Sequence, residues 1–243
     1  MNELEMSNAL EDLCDTLESF YGRGVRNISG LKQAISRLRL RNKSSKKKHP
    51  LSINIARLSF DIPSTHKHTL PIDITDSILT VSIKMGFRES KASFDDINEL
   101  NIDFEVSSYN SEGSPVKSAW HLDYHDVQGN EHFSHPQFHF QFGGKRLRES
   151  LQKSNAHINT GELLLMESPR LMHPPLDPVL AIDFIFGNFL GESCWKALRN
   201  KKAFGRLHKM SKDVFWKPYY SGISNYLVNP TAKISLGLHP GAA

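Results

Sequence analysis

Three stretches of this chain alternate apolar and polar residues with a period of two, and that pattern constrains the fold more than any other. LSINIARLSFDI places Ile53 and Ile55 on one side and, after an offset, Leu58, Phe60 and Ile62. ILTVSIKMGF sets Leu79, Val81, Ile83 and Met85 against Thr80, Ser82 and Lys84. LNIDFEVSSY sets Ile102, Phe104 and Val106 against Asn101, Asp103 and Glu105. Strands with one apolar and one polar face belong to antiparallel sheets, because parallel strands buried on both sides read as continuous apolar runs. Pro- and Gly-bearing segments such as IPSTHKHTLP and NSEGSP separate them as loops.

The period changes to that of a helix at both ends. Leu10, Leu13, Cys14, Leu17, Phe20 and Tyr21 recur at three- and four-residue spacing, and Gly22 and Gly24 offer an end to that helix. A second helix follows from about Leu31, with Ala34, Ile35 and Leu38 on the same face and Ser29 as a cap. After PRLMHPPLDP, Asp177 is a good N-cap and Pro178 suits a first helical turn. The run from Val179 to Leu190 is apolar almost all round, which marks a central helix, and the basic region after Ser193 keeps Trp195, Leu198, Phe204, Leu207 and Met210 for a buried side. The predicted class is α+β: a mainly antiparallel sheet with an N-terminal helical hairpin and C-terminal helices packed on one face. The expected divisions are a hairpin over 1–40, a basic linker over 41–50 and an α+β domain over 51–243, with its sheet in 51–168 and its helices in 177–228.

No apolar run reaches the roughly 20 residues that span a bilayer. The acidic start and the two isolated cysteines, Cys14 and Cys194, fit a reduced cytoplasmic protein in which both are small core residues. The charge is unevenly laid out. Residues 1–20 hold six acids and no Lys or Arg, whereas 37–48 hold seven cations and no acid. A second basic stretch runs from Lys196 to Lys217. Segments of this kind are a footprint for DNA or RNA. The candidate contacts are Arg37, Arg39, Arg41, Lys43, Lys46, Lys47, Lys48, Lys145, Arg146, Lys201, Lys202 and Arg206. A solvated linker and a solvated helix face account for the same charges. The acidic N-terminal helices are a candidate docking face for a basic surface of this chain or of a protein partner.

The densest chemistry lies in AWHLDYHDVQGNEHFSHPQFHFQFGG, residues 119–144. Trp120, Leu122 and Tyr124 alternate with His121, Asp123 and His125, and Phe138, Phe140 and Phe142 alternate with Gln137, His139 and Gln141. Two paired strands would present a ring-lined face to the interior and an imidazole-lined face to solvent. Matching the faces requires an odd-length or bulged connection, and one such register pairs His121 with His139 and Asp123 with Gln137. His121, Asp123, His125 and His139 are then candidate ligands for a divalent metal such as Zn or Mn. His121, His139 and Asp123 are also the candidate catalytic set, with the two imidazoles as acid and base in a metal-free variant. A polar sheet face that merely meets water gives the same alternation. His132 and His135 fall in the connection, and His66 and His68 in a surface loop. Gly143-Gly144-Lys145-Arg146 lacks the Walker spacing and reads first as a turn. Asp183, inside the apolar helix, needs a cationic partner, for which Arg170 and Arg199 are candidates. Neither a GxSxG nucleophile elbow nor a GxGxxG dinucleotide loop is present.

The run Trp120-His121 with Asp123, then His135-Pro136 with His139, Phe142-Gly143-Gly144, Pro174-Pro175-Leu176 with Pro178, Ile182-Asp183-Phe184-Ile185 and Asn188-Phe189 resembles an uncharacterised bacterial family over residues 119–190. Its members occur near mobile-element and antiphage or toxin-type genes. The resemblance implies a conflict-system context and carries no assigned catalytic residue. The leading expectation is an accessory nucleic-acid- or partner-binding component of such a system. The alternatives are a metal-dependent or His-catalysed nuclease or phosphodiesterase using the His-rich hairpin, and an interaction scaffold using the acidic N-terminal helices.

Overall fold

A computed structural model describes residues 1–44, 49–63, 74, 76–125, 136–143, 148 and 169–229. The first helix, α1 (Glu3–Glu18), begins at a reciprocal cap. Asn2 Oδ1 accepts from the Glu5 N–H at 2.9 Å, and Glu5 Oε2 accepts from the Asn2 N–H at 2.9 Å. Met6, Leu10, Leu13, Cys14 and Leu17 form its buried side. The helix stops at Glu18, before the expected glycines. Gly22 and Gly24 instead take positive φ, 72° and 106°, in the turn that leads to β1 (Val25–Asn27). Tyr21, expected on the buried face, is 46% exposed because it lies beyond the last turn.

In α2 (Ser29–Ser44), Ser29 is the first helical residue, and the cap comes from Asn27, whose Oδ1 accepts from the Ser29 N–H at 2.9 Å. The helix runs through Ser44, so Arg41 stands on it and not in a linker. Its N-terminus lies against β2 (Ser52–Ile62). A Cβ on Gly30 would fall 1.8 Å from the carbonyl oxygen of Ala56, and only glycine allows that approach. The offset between Ile55 and Leu58 is a β-bulge, with Arg57 in the left-handed region at φ 54°. The bulge keeps Ile53, Ile55, Leu58, Phe60 and Ile62 all buried.

The sheet continues through β3 (Ser77–Phe87), β4 (Ile97–Tyr109), β5 (Pro115–Tyr124), β6 (Phe138–Phe142) and β7 (Leu171–Met172). The seven strands are antiparallel and lie side by side in chain order. β7 occupies a stretch expected to lead directly into a helix. The strand expected over 162–168 lies outside the described residues.

Asp177 does cap α3 (Pro178–Phe189), accepting from the Leu180 N–H at 2.9 Å, with Pro178 in the first turn. Helix α4 (Glu192–Arg199), helix α5 (Lys202–Ser211), a π-helical turn at Lys212–Trp216 and helix α6 (Lys217–Val228) follow. All these helices share one core with the apolar sheet face. Phe186 of α3 meets Phe20 and Phe60 at ring separations of 5.2 and 6.4 Å, and Phe184 meets Phe104 and Phe140 at 5.5 and 5.6 Å. Phe215 lies 6.2 Å from Phe87, and Tyr219 lies 6.1 Å from Phe138. The fold is α+β, as the alternation predicts. None of the described helices is long and apolar enough to cross a membrane.

Candidate metal centre

The imidazole cluster is built by register. In β4 and β5, Asn101 stands opposite Asp123 and Asp103 opposite His121. In β5 and β6, His121 stands opposite Gln141 and Asp123 opposite His139. Directly opposed residues share a face, so the alternation assigned the sides correctly. The offset differs by two residues from the pairing of His121 with His139. The odd-length connection holds: the His125 N–H donates to the Gln137 carbonyl at 2.8 Å, which leaves the odd number 137 − 125 − 1 = 11 between them. Residues 126–135, with His132 and His135, lie outside the described residues, as do His66 and His68.

The face is not the solvent face that was expected. His121 is 8% exposed, His139 1% and Gln141 2%. Phe142, on the opposite side, is 40% exposed, although its ring still lies 5.6 Å from Trp120. Period-two alternation assigns a residue to a side of the sheet and does not state how deeply that side is covered.

One nitrogen of His121, one of His139 and one carboxylate oxygen of Asp123 lie within 4.8 Å of one another. His121 Nε2 stands 3.5 Å from Asp123 Oδ2. Two donors at about 2.0–2.1 Å from a tetrahedral zinc ion stand about 3.4 Å apart. That pair is therefore already at a ligand–ligand separation. The imidazole rings are 6.1 Å apart, centroid to centroid. His121 Nδ1 is buried with no hydrogen-bond partner among the described residues, a cost that a buried nitrogen seldom bears. His125 sits one ladder step further, half-buried, with its ring 5.2 Å from that of His139, and it is not one of the three converging donors. Asn101, which the sequence reading missed, donates from Nδ2 to Asp123 Oδ1 at 2.6 Å. Its place opposite Asp123 follows only from the β4–β5 register.

The expected nucleic-acid contacts divide differently. Arg39 pairs with Glu11 of α1, and Arg41 Nε lies 3.3 Å from Glu3 Oε1 while its guanidinium also donates to Ser52 Oγ and the Pro50 carbonyl, both at 3.0 Å. Lys32 pairs with Glu18 at 2.6 Å, which raises the lysine's pKa. The acidic side of α1 thus docks on cations of this same chain. Arg37 is exposed. The Lys43 side chain and residues Lys46, Lys47, Lys48, Lys145 and Arg146 lie outside what is described. Lys201 and Lys202 are exposed at the start of α5, the former with Nζ 5.9 Å over the Phe20 ring. Arg206 is exposed, 3.9 Å from Asp12.

Asp183 finds the partner its position demands, and that partner is Arg199. The guanidinium donates from Nε at 2.8 Å and from Nη2 at 2.6 Å, and Trp195 Nε1 donates at 3.0 Å. His208 Nε2 stands 3.4 Å away, at ion-pair separation without hydrogen-bond alignment. Burial alone would raise the Asp183 pKa, but these donors hold it well below the usual carboxylate range. Asp177, 1% exposed, accepts from Ser211 Oγ at 2.6 Å as well as capping α3. Burial outweighs those bonds and pushes its carboxyl up to about 6. Cys14 is buried with its thiol pKa raised, as a core residue requires and a nucleophile does not.

Comparison with protein-family models, with curated proteins and with solved structures gives no match to this chain.

Proposed function

We propose that this chain is a metal-dependent hydrolase of phosphodiester bonds, of the nuclease class, with a divalent transition ion held by His121, Asp123 and His139. The observation that carries the reading is the convergence of three donors of suitable type to within 4.8 Å, on strands whose register holds them there. Two imidazoles and one carboxylate leave a coordination position for water, as catalytic zinc sites do. A cation so placed lowers the pKa of water to about 7 and supplies a nucleophile at neutral pH. Asp123 keeps 19% side-chain exposure and His125 is half-buried, so the carboxylate is the least covered of the three donors. The test is elemental analysis of the purified chain with nuclease and phosphodiesterase assays on wild type and His139→Ala. About one equivalent of metal and an activity lost in the variant are expected. No stoichiometric metal, with activity indifferent to the substitution, defeats the reading.

A second reading, an accessory polyanion-binding component of a bacterial defence or mobile-element system in the cytoplasm, draws on the exposed cations Lys201, Lys202 and Lys209 of α5 and its approach, with Arg206 already 3.9 Å from Asp12. Its context rests on the resemblance over 119–190. The α2 limb contributes less than its composition promises, because Arg39 and Arg41 already have acidic partners. Fluorescence anisotropy with DNA and RNA at low salt tests it. Wild-type binding that weakens steeply with salt, and an affinity and salt slope reduced more by Lys202→Ala than by Arg39→Ala, are expected. The scaffold reading has least support, since Glu3, Glu11, Asp12 and Glu18 already face cations of this chain.

A further inference from the structure

We infer that Asn101 is a positioning residue that restricts Asp123 to a single ligating oxygen, and that this selects a four-coordinate zinc-class ion over magnesium or calcium. The inference rests on the metal-centre reading above and adds to it the class of ion and a residue outside the donor set.

The two oxygens of Asp123 have different surroundings. Oδ1 accepts from Asn101 Nδ2 at 2.6 Å, a short bond to a carboxylate. Oδ2 faces His121 Nε2 at 3.5 Å. The backbone of Asn101 is directly paired with that of Asp123 in the β4–β5 ladder and with that of Lys84 in the β3–β4 ladder, which fixes its Cα beside the carboxylate. With Oδ1 engaged, the converging donors among the described residues are one oxygen and two imidazole nitrogens. Calcium takes six to eight oxygens and magnesium a near-octahedral oxygen shell. A set of two nitrogens and one oxygen is too poor in oxygen for either, whereas it leaves zinc or cobalt one open position in a tetrahedron. If Asn101 let go, Asp123 would be free to rotate and bind through both oxygens. The ion would then gain coordination number and lose the fixed geometry. Outer-shell partners of metal ligands are typically worth 10–100-fold in affinity.

The experiment uses the full chain as wild type, Asn101→Ala and Asn101→Asp. The aspartate keeps the shape of the side chain but presents an acceptor where the donor stood, so it tests the bond even where the alanine variant folds poorly. Zinc affinity is read by competition with a chromophoric chelator, with magnesium and calcium as competitors. Cobalt is read by its visible absorption, which is intense in tetrahedral sites and weak at higher coordination. Wild type is expected to bind one zinc that millimolar magnesium or calcium does not displace. Both variants are expected to bind 10–100-fold more weakly and to show a diminished cobalt band. Wild type that binds zinc equally with both variants overturns the role of Asn101 and leaves the metal centre standing. Displacement by magnesium or calcium overturns the ion class. A wild type that binds no metal removes this inference and the hydrolase together.

Discussion

Two buried aspartates, one capping the third helix and one inside it, show how position, and not residue type, decides what a carboxyl does. Asp183 is held ionised by Arg199, Trp195 and His208, so its folded pKa is below its unfolded value. Its contribution to stability is therefore present above the unfolded pKa of about 3.9 and is lost as pH falls towards the folded pKa. Replacing it with Asn leaves the guanidinium and indole donors poorly matched. We expect a loss of about 3 kcal/mol in chemical denaturation, the low end for breaking a buried pair, because Arg199 keeps 42% side-chain exposure. Asp177 runs the other way. Its folded pKa of about 6 stands above the ordinary value of 3.8, so its stabilising share is complete below the latter and is lost as pH rises through the former. Asp177→Asn removes that dependence. Denaturation at pH 5 and pH 8 should show the variant gaining on wild type by roughly 1–1.5 kcal/mol across the interval, whatever offset the altered cap adds. Equal shifts at both pH values would contradict the assignment.

At the level of strands and helices, what the sequence disclosed and what it withheld have one physical origin. Side-chain alternation reports parity, so the faces of β2 to β6 were legible, as was the bulge implied by the offset after Ile55. Parity also required an odd-length or bulged connection between β5 and β6. It does not report the absolute offset, which is why His139 came to rest opposite Asp123 and not opposite His121. Asn101 was hidden for the same reason, since its neighbour belongs to another strand. The pairing of α1 acids with α2 cations was visible only as complementary blocks of charge. The three-residue β1 and two-residue β7 are too short for any period to register. The contact of α2 with β2 was likewise silent, because glycine carries no pattern. Gly30→Ala drives a methyl into the Ala56 carbonyl, a backbone atom that cannot swing aside. The variant is expected to lose more than the few tenths of a kcal/mol usual for surface changes, on the order of 1–3 kcal/mol for overpacking. Thermal melts of Gly30→Ala beside Gly205→Ala, whose Cβ meets nothing within 4 Å, give the contrast. In a mid-helix position the latter should be neutral or slightly stabilising.

At the scale of the whole molecule, strand order equals chain order among the described residues, and this bears on how the protein comes off the ribosome. Each strand finds its neighbour in the segment just synthesised or the next to emerge, so the sheet can zip up vectorially. The apolar side it creates is another matter. Phe60 and Phe104 are sealed by Phe186 and Phe184 of α3, and Phe87 by Phe215, residues translated long after the strands they cover. At roughly 5–20 residues per second, the interval from the end of β5 to the end of α3 lasts several seconds. Nascent chains arrested between residues 125 and 177 should therefore crosslink to a holdase and bind a hydrophobic dye, and both signals should fall once α3 clears the exit tunnel. Uniform protection at every arrest length would mean that some other segment shields the half-made sheet during synthesis.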